Sequence, residues 1–164
     1  EMKSTGEVFG SDDTADLAYL KARLATEVPV ASSGGAYLTV RDQDKKNLLD
    51  SAKKLTELGF TLYATSGTAD YLRENEIPVE VVYRIRESKH PDALDLMRQG
   101  KISFIVNVPT VSGGAVRDGN MMRRLAVELN IPFVTTIRGA NMEVAAIAAQ
   151  QKGNLEPRRL KVNY

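Results

Sequence analysis

Five short apolar runs, each followed by a segment of helical spacing, leave this chain few folds to choose from. They are AYLTV (36–40), TLYAT (61–65), VEVVY (79–83), SFIVNV (103–108) and FVTTI (133–137). Between the first two, Gln43 to Leu58 sets Leu48, Leu49, Ala52, Leu55 and Leu58 three and four apart, which makes one apolar face. Gly59 follows at the position just past a helix end, where glycine is favoured because it enters left-handed backbone without a Cβ clash. Similar spacing predicts helices over Ala69–Asn75, Asp92–Arg98, Asn120–Leu129 and Asn141–Gln151, with Gly100 and Gly153 as stops. Strand alternating with helix calls for right-handed βαβ crossovers and a parallel sheet covered on both faces. VEVVY and FIVNV suit strands buried on both sides. The expected fold is α/β: an open, doubly wound, Rossmann-like sheet of five parallel strands over residues 36–150.

The residues outside that span read differently. Ser11 to Thr14 offer N-caps, and Ala15 to Ala25 carries Leu17, Tyr19, Leu20 and Leu24 as a modest amphipathic helix in need of a partner surface. VPVASSGGA (28–36) has the Pro, Ser and Gly content of a linker, so residues 1–35 form an N-terminal segment and 151–164 a tail. The head EMKSTGEVFG reads as the cut end of a longer chain. With no cysteine there is neither a disulfide framework nor a thiolate metal site. A balance of 22 Lys+Arg against 21 Asp+Glu offers no broad basic face for nucleic acid. No apolar run is long enough for a membrane span, and no signal-peptide pattern is present, so a cytoplasmic protein is expected.

Chemistry collects where the strands end. In FTLYATSGTADYLREN (60–75), Thr65, Ser66, Gly67 and Thr68 lie where a strand hands over to a helix. Backbone N–H groups at a helix start, a glycine that allows close approach and three hydroxyls make a cradle for an anion such as phosphate. Helix capping is the other reading of the same residues. After the first strand, RDQDKK puts Arg41, Lys45 and Lys46 at a helix start, where cations oppose the helix dipole unless an anion is bound. Arg84, Arg86 and Lys89 follow the third strand, Asn107 and Thr110 the fourth, and Thr135, Thr136 and Arg138 the fifth. In a parallel sheet all of these gather at one rim, a place for a small phosphorylated ligand.

Other chemistries find little support. There is no Walker loop and no G-x-G-x-x-G, and SGGAV (112–116) reads as a turn. The sole histidine, His90, sits in the polar loop RESKHPD and reads as solvated. No carboxylate pair or histidine cluster has metal-ligand spacing, and MMRR (121–124) reads as an amphipathic helix with its arginines in solvent. No catalytic and no metal-binding residue is assigned.

The stretches LTVRDQDKK, LTELGFTLYATSGTADYLRENEIPVEVV, KISFIVNVP and MMRRLAVELNIPFVTTIRGA together resemble the methylglyoxal-synthase-like (MGS-like) domain. The match is to the form that closes the large subunit of carbamoyl-phosphate synthetase, and EMKSTGEV resembles the end of that enzyme's second ATP-grasp unit. The resemblance implies a regulatory domain without chemistry of its own, binding a nucleoside monophosphate effector, UMP or in some members IMP. It sets Thr65 and Thr68 on the family's phosphate-binding threonines and Lys45 on its phosphate lysine. Arg84 stands where a second lysine is usual, Ser66 and Gly67 complete the motif, and Asn107 and Thr110 fall near an Asn-Thr-Thr nucleotide contact. It further implies no cofactor for this segment, with ATP and Mg or Mn, the ATP-grasp domains and a glutaminase small subunit belonging to the parent enzyme of pyrimidine and arginine synthesis.

Departures narrow the effector. Phe133-Val134-Thr135 replaces a Tyr-Asp-Thr segment that binds ornithine in some members, and the tryptophan of members that bind N-acetylglutamate is missing. The IMP cyclohydrolase relatives share TVRDxxK…TSGTA but carry a longer segment after the third strand. The alternative is a methylglyoxal synthase-type lyase acting on dihydroxyacetone phosphate. That reaction needs an aspartate base in a Gly-Gly-Asp loop after the third strand and another aspartate after the fourth. Here those places hold Lys89-His90-Pro91-Asp92 and Asn107.

Overall fold

A computed structural model describes residues 8–26, 28–110 and 113–153 of the chain. The head motif over residues 1–7 and the tail beyond residue 153 lie outside the described residues. In order, the elements are α1 (Ala15–Leu24), β1 (Gly35–Val40), α2 (Lys45–Glu57), β2 (Thr61–Ala64), α3 (Ser66–Glu74), β3 (Glu80–Val81), α4 (Ala93–Arg98), β4 (Ile102–Val108), α5 (Gly113–Glu128), β5 (Phe133–Val134) and α6 (Ile137–Gln151). Single 3-10 turns over Asp42–Asp44 and Ile85–Glu87 lead out of the first and third strands. All five strands are parallel, in the order β3-β2-β1-β4-β5. The order reverses between β1 and β4, the place where open α/β sheets leave a crevice beyond their carboxyl ends.

Alternation along the strands sorts the core into two layers. From β1, Ala36, Leu38 and Val40 join Phe104, Val106 and Val108 of β4 in one layer. That layer is closed by Leu48, Ala52 and Leu55 of α2, Leu72 of α3 and Val144 and Ile147 of α6. Tyr37 points the other way, into a layer with Ile105, Leu96 and Met97 of α4, and Met122 and Ala126 of α5. The apolar face of α2 falls where its spacing put it. Gly59, Gly100 and Gly153 all take positive φ, as stops should. On the outer side, α1 packs on α6 and adds Leu20, which is fully buried.

Several elements depart from their sequence reading. VEVVY is no doubly buried strand: β3 keeps two residues at the sheet edge, both exposed, and Val82 alone is buried among them. β5 is equally short, at the opposite edge. SGGAV is no turn, because Gly113 to Val116 form the first turn of α5. That helix starts seven residues ahead of its expected start at Asn120. Likewise α3 starts at Ser66, so Ser66-Gly67-Thr68 are its first turn and Thr65 its N-cap.

Candidate functional site

A cleft of about 180 Å3 opens at the switch point, beyond the carboxyl ends of β1, β2 and β4. That is below the roughly 300–1,000 Å3 of pockets for drug-sized ligands, and it fits a compact group with the rest of its ligand outside. Lys45, Thr65, Gly67, Thr68, Arg84, Asn107 and Thr110 all line it. Ser66 does not; it is exposed on the outer side of the same turn.

The helix starts around the cleft are built unlike the others. Thr14 and Thr136 accept hydrogen bonds from Leu17 N and Gly139 N, and Asp92 closes a capping box with Asp95, so α1, α6 and α4 are capped in the ordinary way. Thr65 holds the N-cap position of α3 with extended backbone and is buried, yet its side chain makes no capping bond. Asp44, at the N-cap of α2, makes none either, since its carboxylate pairs with Arg41. The start of α3 is thus left uncapped at the cleft, whereas at α2 the preceding 3-10 turn takes the Asp44 and Lys45 N–H groups onto the Arg41 and Asp42 carbonyls. Thr68 Oγ1 accepts from Val40 N at 3.5 Å, which leaves its own hydrogen to donate.

Charge is arranged over those donors. Lys45 is the first residue of α2, and its ammonium lies 3.8 Å from where a Cβ on Gly67 would stand. The ammonium also sits 5.9 Å from the centre of the Tyr71 ring and 2.7 Å from Asp42 Oδ1. Asp42 is almost fully in water, and its hydrogen bond from Lys45 lowers its pKa. Across the cleft Arg84 and Arg86 reach carboxylates only at 4.0 Å, Glu87 and Asp118 respectively. Asn107 is buried, and its amide nitrogen would be 2.6 Å from a Cβ on Gly119. Glycine on α5 therefore makes the room that the asparagine occupies.

Other groups expected at the rim stay out of the cleft. Thr136 is used as the cap of α6, and neither Thr135 nor Arg138 lines the site. Lys46 is also absent, and Lys89 stacks 5.6 Å from the Tyr83 ring. Conversely, Tyr37 and Asp118 line the cleft unannounced by the sequence. Burial pushes the Tyr37 phenol well above its usual range. Burial also raises Asp118, against the pull of Arg86, whose main-chain N–H it accepts. Asp118 escaped notice because its helix was read as starting two residues after it.

One cluster runs against the sequence reading that no carboxylates or histidine have metal-ligand spacing. Ligand atoms of His90, Asp92 and Asp95 lie within 4.8 Å of one another. Both aspartates are engaged in the capping box of α4, and His90, exposed, has its pKa raised by its hydrogen bond to Asp95. Among the described residues no helix is long and apolar enough to cross a membrane.

A model of the MGS-like domain matches residues 47–135. Similar curated proteins include the carbamoyl phosphate synthase large chain, C-terminal section, of Methanocaldococcus jannaschii, 50% identical over 156 residues, 94% of this chain and 25% of that protein. The namesake section from Methanopyrus kandleri is 46% identical over 154 residues, 93% of this chain and 28% of its own length. A carbamoyl phosphate synthase large chain of Methanosarcina barkeri is 40% identical over 153 residues, covering 93% of this chain and 38% of the relative. The chain spans about a quarter of the length of the first two.

Proposed function

Since the chain belongs to the MGS-like domain family, we propose that its cleft binds the phosphate of a nucleoside monophosphate, UMP or a close relative, as a regulatory effector. The observation that carries this reading is Thr65: a largely buried residue at a helix N-cap whose hydroxyl caps nothing, beside the Lys45 ammonium over Gly67. A threonine kept for capping would bond the helix, as Thr14 and Thr136 do. Phosphate oxygens accept from the first turn of α3, from the Thr65 and Thr68 hydroxyls and from Lys45 and Arg84. Asn107 and Thr110, which line the same cleft, then contact the remainder of the ligand.

The relatives are named as carbamoyl phosphate synthase large chains, which supports carbamoyl phosphate synthesis by a parent large chain as the regulated activity; the compartment of this reading is the cytoplasm. The parent's ATP-grasp domains, with ATP and Mg or Mn, and a glutaminase small subunit are the partners, and this segment contributes control without catalysis. Calorimetric titration of UMP into the 164-residue chain tests the reading. Binding that weakens as salt rises is expected, with about 2.7 kcal/mol of added stability at a hundred times Kd. No heat and no melting shift with UMP, IMP or inorganic phosphate would defeat it.

Asp118 favours one second reading. A carboxylate raised by burial in a phosphate cleft is what a lyase acting on dihydroxyacetone phosphate would use as base. Against it, Asp118 already accepts from Arg86 and faces its guanidinium. Methylglyoxal formed by the chain and lost in Asp118→Asn would decide for the lyase.

A further inference from the structure

We propose that a line of polar contacts from α2 through α6 to α1 couples occupancy of the cleft to the docking of α1, an inference that rests on the anion-binding reading above. α2 begins inside the cleft with Lys45. Further along the same helix Ser51, 5% exposed, donates its hydroxyl to Asn141 Oδ1 on α6 at 2.6 Å. Two residues on, Glu143 is completely buried. Its carboxylate takes Arg23 Nε at 2.8 Å and Arg23 Nη2 at 2.9 Å, and accepts the Tyr19 hydroxyl at 2.8 Å. Both of those donors belong to α1. Arg23 also binds the chain beyond α1, through Thr26 Oγ1 at 2.8 Å and the Val28 carbonyl at 3.1 Å.

These bonds differ in kind from the apolar contacts around them. Apolar contacts have no preferred direction, whereas a fork of two N–H donors on one carboxylate fixes position and angle together. Three helices are therefore joined in series at defined registers, and the first of them carries the cleft's lysine. At the far end, α1 is the element able to change state. It has ten residues, a length at which a helix is marginal on its own, and Leu20 is its one fully buried apolar side chain. Its docking depends on Glu143 being held in place. An anion between Lys45 and α3 fixes the start of α2, α2 fixes Asn141 through Ser51, and α6 then presents Glu143 in the geometry that Arg23 and Tyr19 need.

Coupling of this kind is reciprocal, so it is read from both ends. The experiment uses the 164-residue chain, UMP as probe, calorimetry for affinity and amide exchange over Ala15–Leu24 for docking. Saturating UMP is expected to slow that exchange by about fivefold or more. Ser51→Ala removes the slowing and weakens UMP by the same factor. Arg23→Met, far from the cleft, undocks α1 and again weakens UMP by that factor. UMP that binds wild type while α1 exchange stays unchanged overturns the coupling, as does full slowing in Ser51→Ala. Absence of UMP binding in the calorimeter overturns the anion reading and the coupling with it, so the two failures are told apart.

Discussion

Two regions of this domain pair basic side chains with carboxylates, to opposite ends. Between α1 and α6, Glu143 is out of water and both of its oxygens are taken by Arg23, whose side chain is 15% exposed. Around the cleft, Lys45 leans on an aspartate that is 95% exposed, and Arg84 and Arg86 meet carboxylates at 4.0 Å. The first arrangement is saturated, and its charges hold two helices together. In the second, Lys45 rests on a carboxylate that lies in water, beside the uncapped start of α3, so an arriving anion has only a solvated aspartate and water to displace. The carboxylate separates the two: the Arg23 and Lys45 side chains are equally shielded, but Glu143 is stripped of water and committed to its partner, while Asp42 is still wet and readily exchanged.

The largest break in that comparison is expected at the committed pair. Glu143→Ala leaves the Arg23 guanidinium partly buried with no counter-charge. It should lower stability by about 3–5 kcal/mol in urea unfolding, the usual result of breaking a buried pair. A loss near that of a surface pair would mean that α1 carries little of the fold. Next in size, Lys45→Ala should weaken UMP by at least about tenfold, since a hydrogen bond to a charged group is worth about 1.5–3 kcal/mol. Its melting temperature should hardly move, because the Asp42 pair it loses lies in water. A destabilised Lys45→Ala with unchanged affinity would put the cleft in the same class as the Arg23–Glu143 pair. The finest distinction is between two threonines at helix starts. Thr136→Ala, which removes a working cap, should cost about 1 kcal/mol, and Thr65→Val a few tenths at most. If thermal melts reverse that order, the uncapped start of α3 is not a ligand site.

Much of this was written plainly in the chain. The apolar face of α2, the β4 run and the glycine stops rest on local rules, and the structure obeys them. What was hidden depended on distant neighbours. Gly113 and Gly114 are poor helix residues, yet they open α5; a Cβ at Gly113 would meet nothing, and one at Gly114 would meet the Arg86 guanidinium at 2.8 Å. β3 looked buried because its valines are apolar, but position in a sheet is set by strand order, and the edge gave it two paired residues. The cleft residues nearest the sheet were legible, since parallel strands must bring their ends together. Asp118, Tyr37 and the Arg23–Glu143 pair were not, because no spacing relates residues that meet only through packing.

Strand order also decides when the cleft exists at all. Leu38 pairs with Ala64 on one side and with Val106 on the other. The first contact closes a short loop of chain and the second a long one, so the half containing β1 and β2 can assemble before β4 arrives. The space between β1 and β4 is complete only once that late joining is over. An anion seated there finds no site on the way to the native state and a full one after it. In rapid-mixing experiments phosphate or UMP should slow the escape from the native state and leave the speed of reaching it untouched. The effector would then act as a brake on coming apart, giving the domain a longer life without a faster birth.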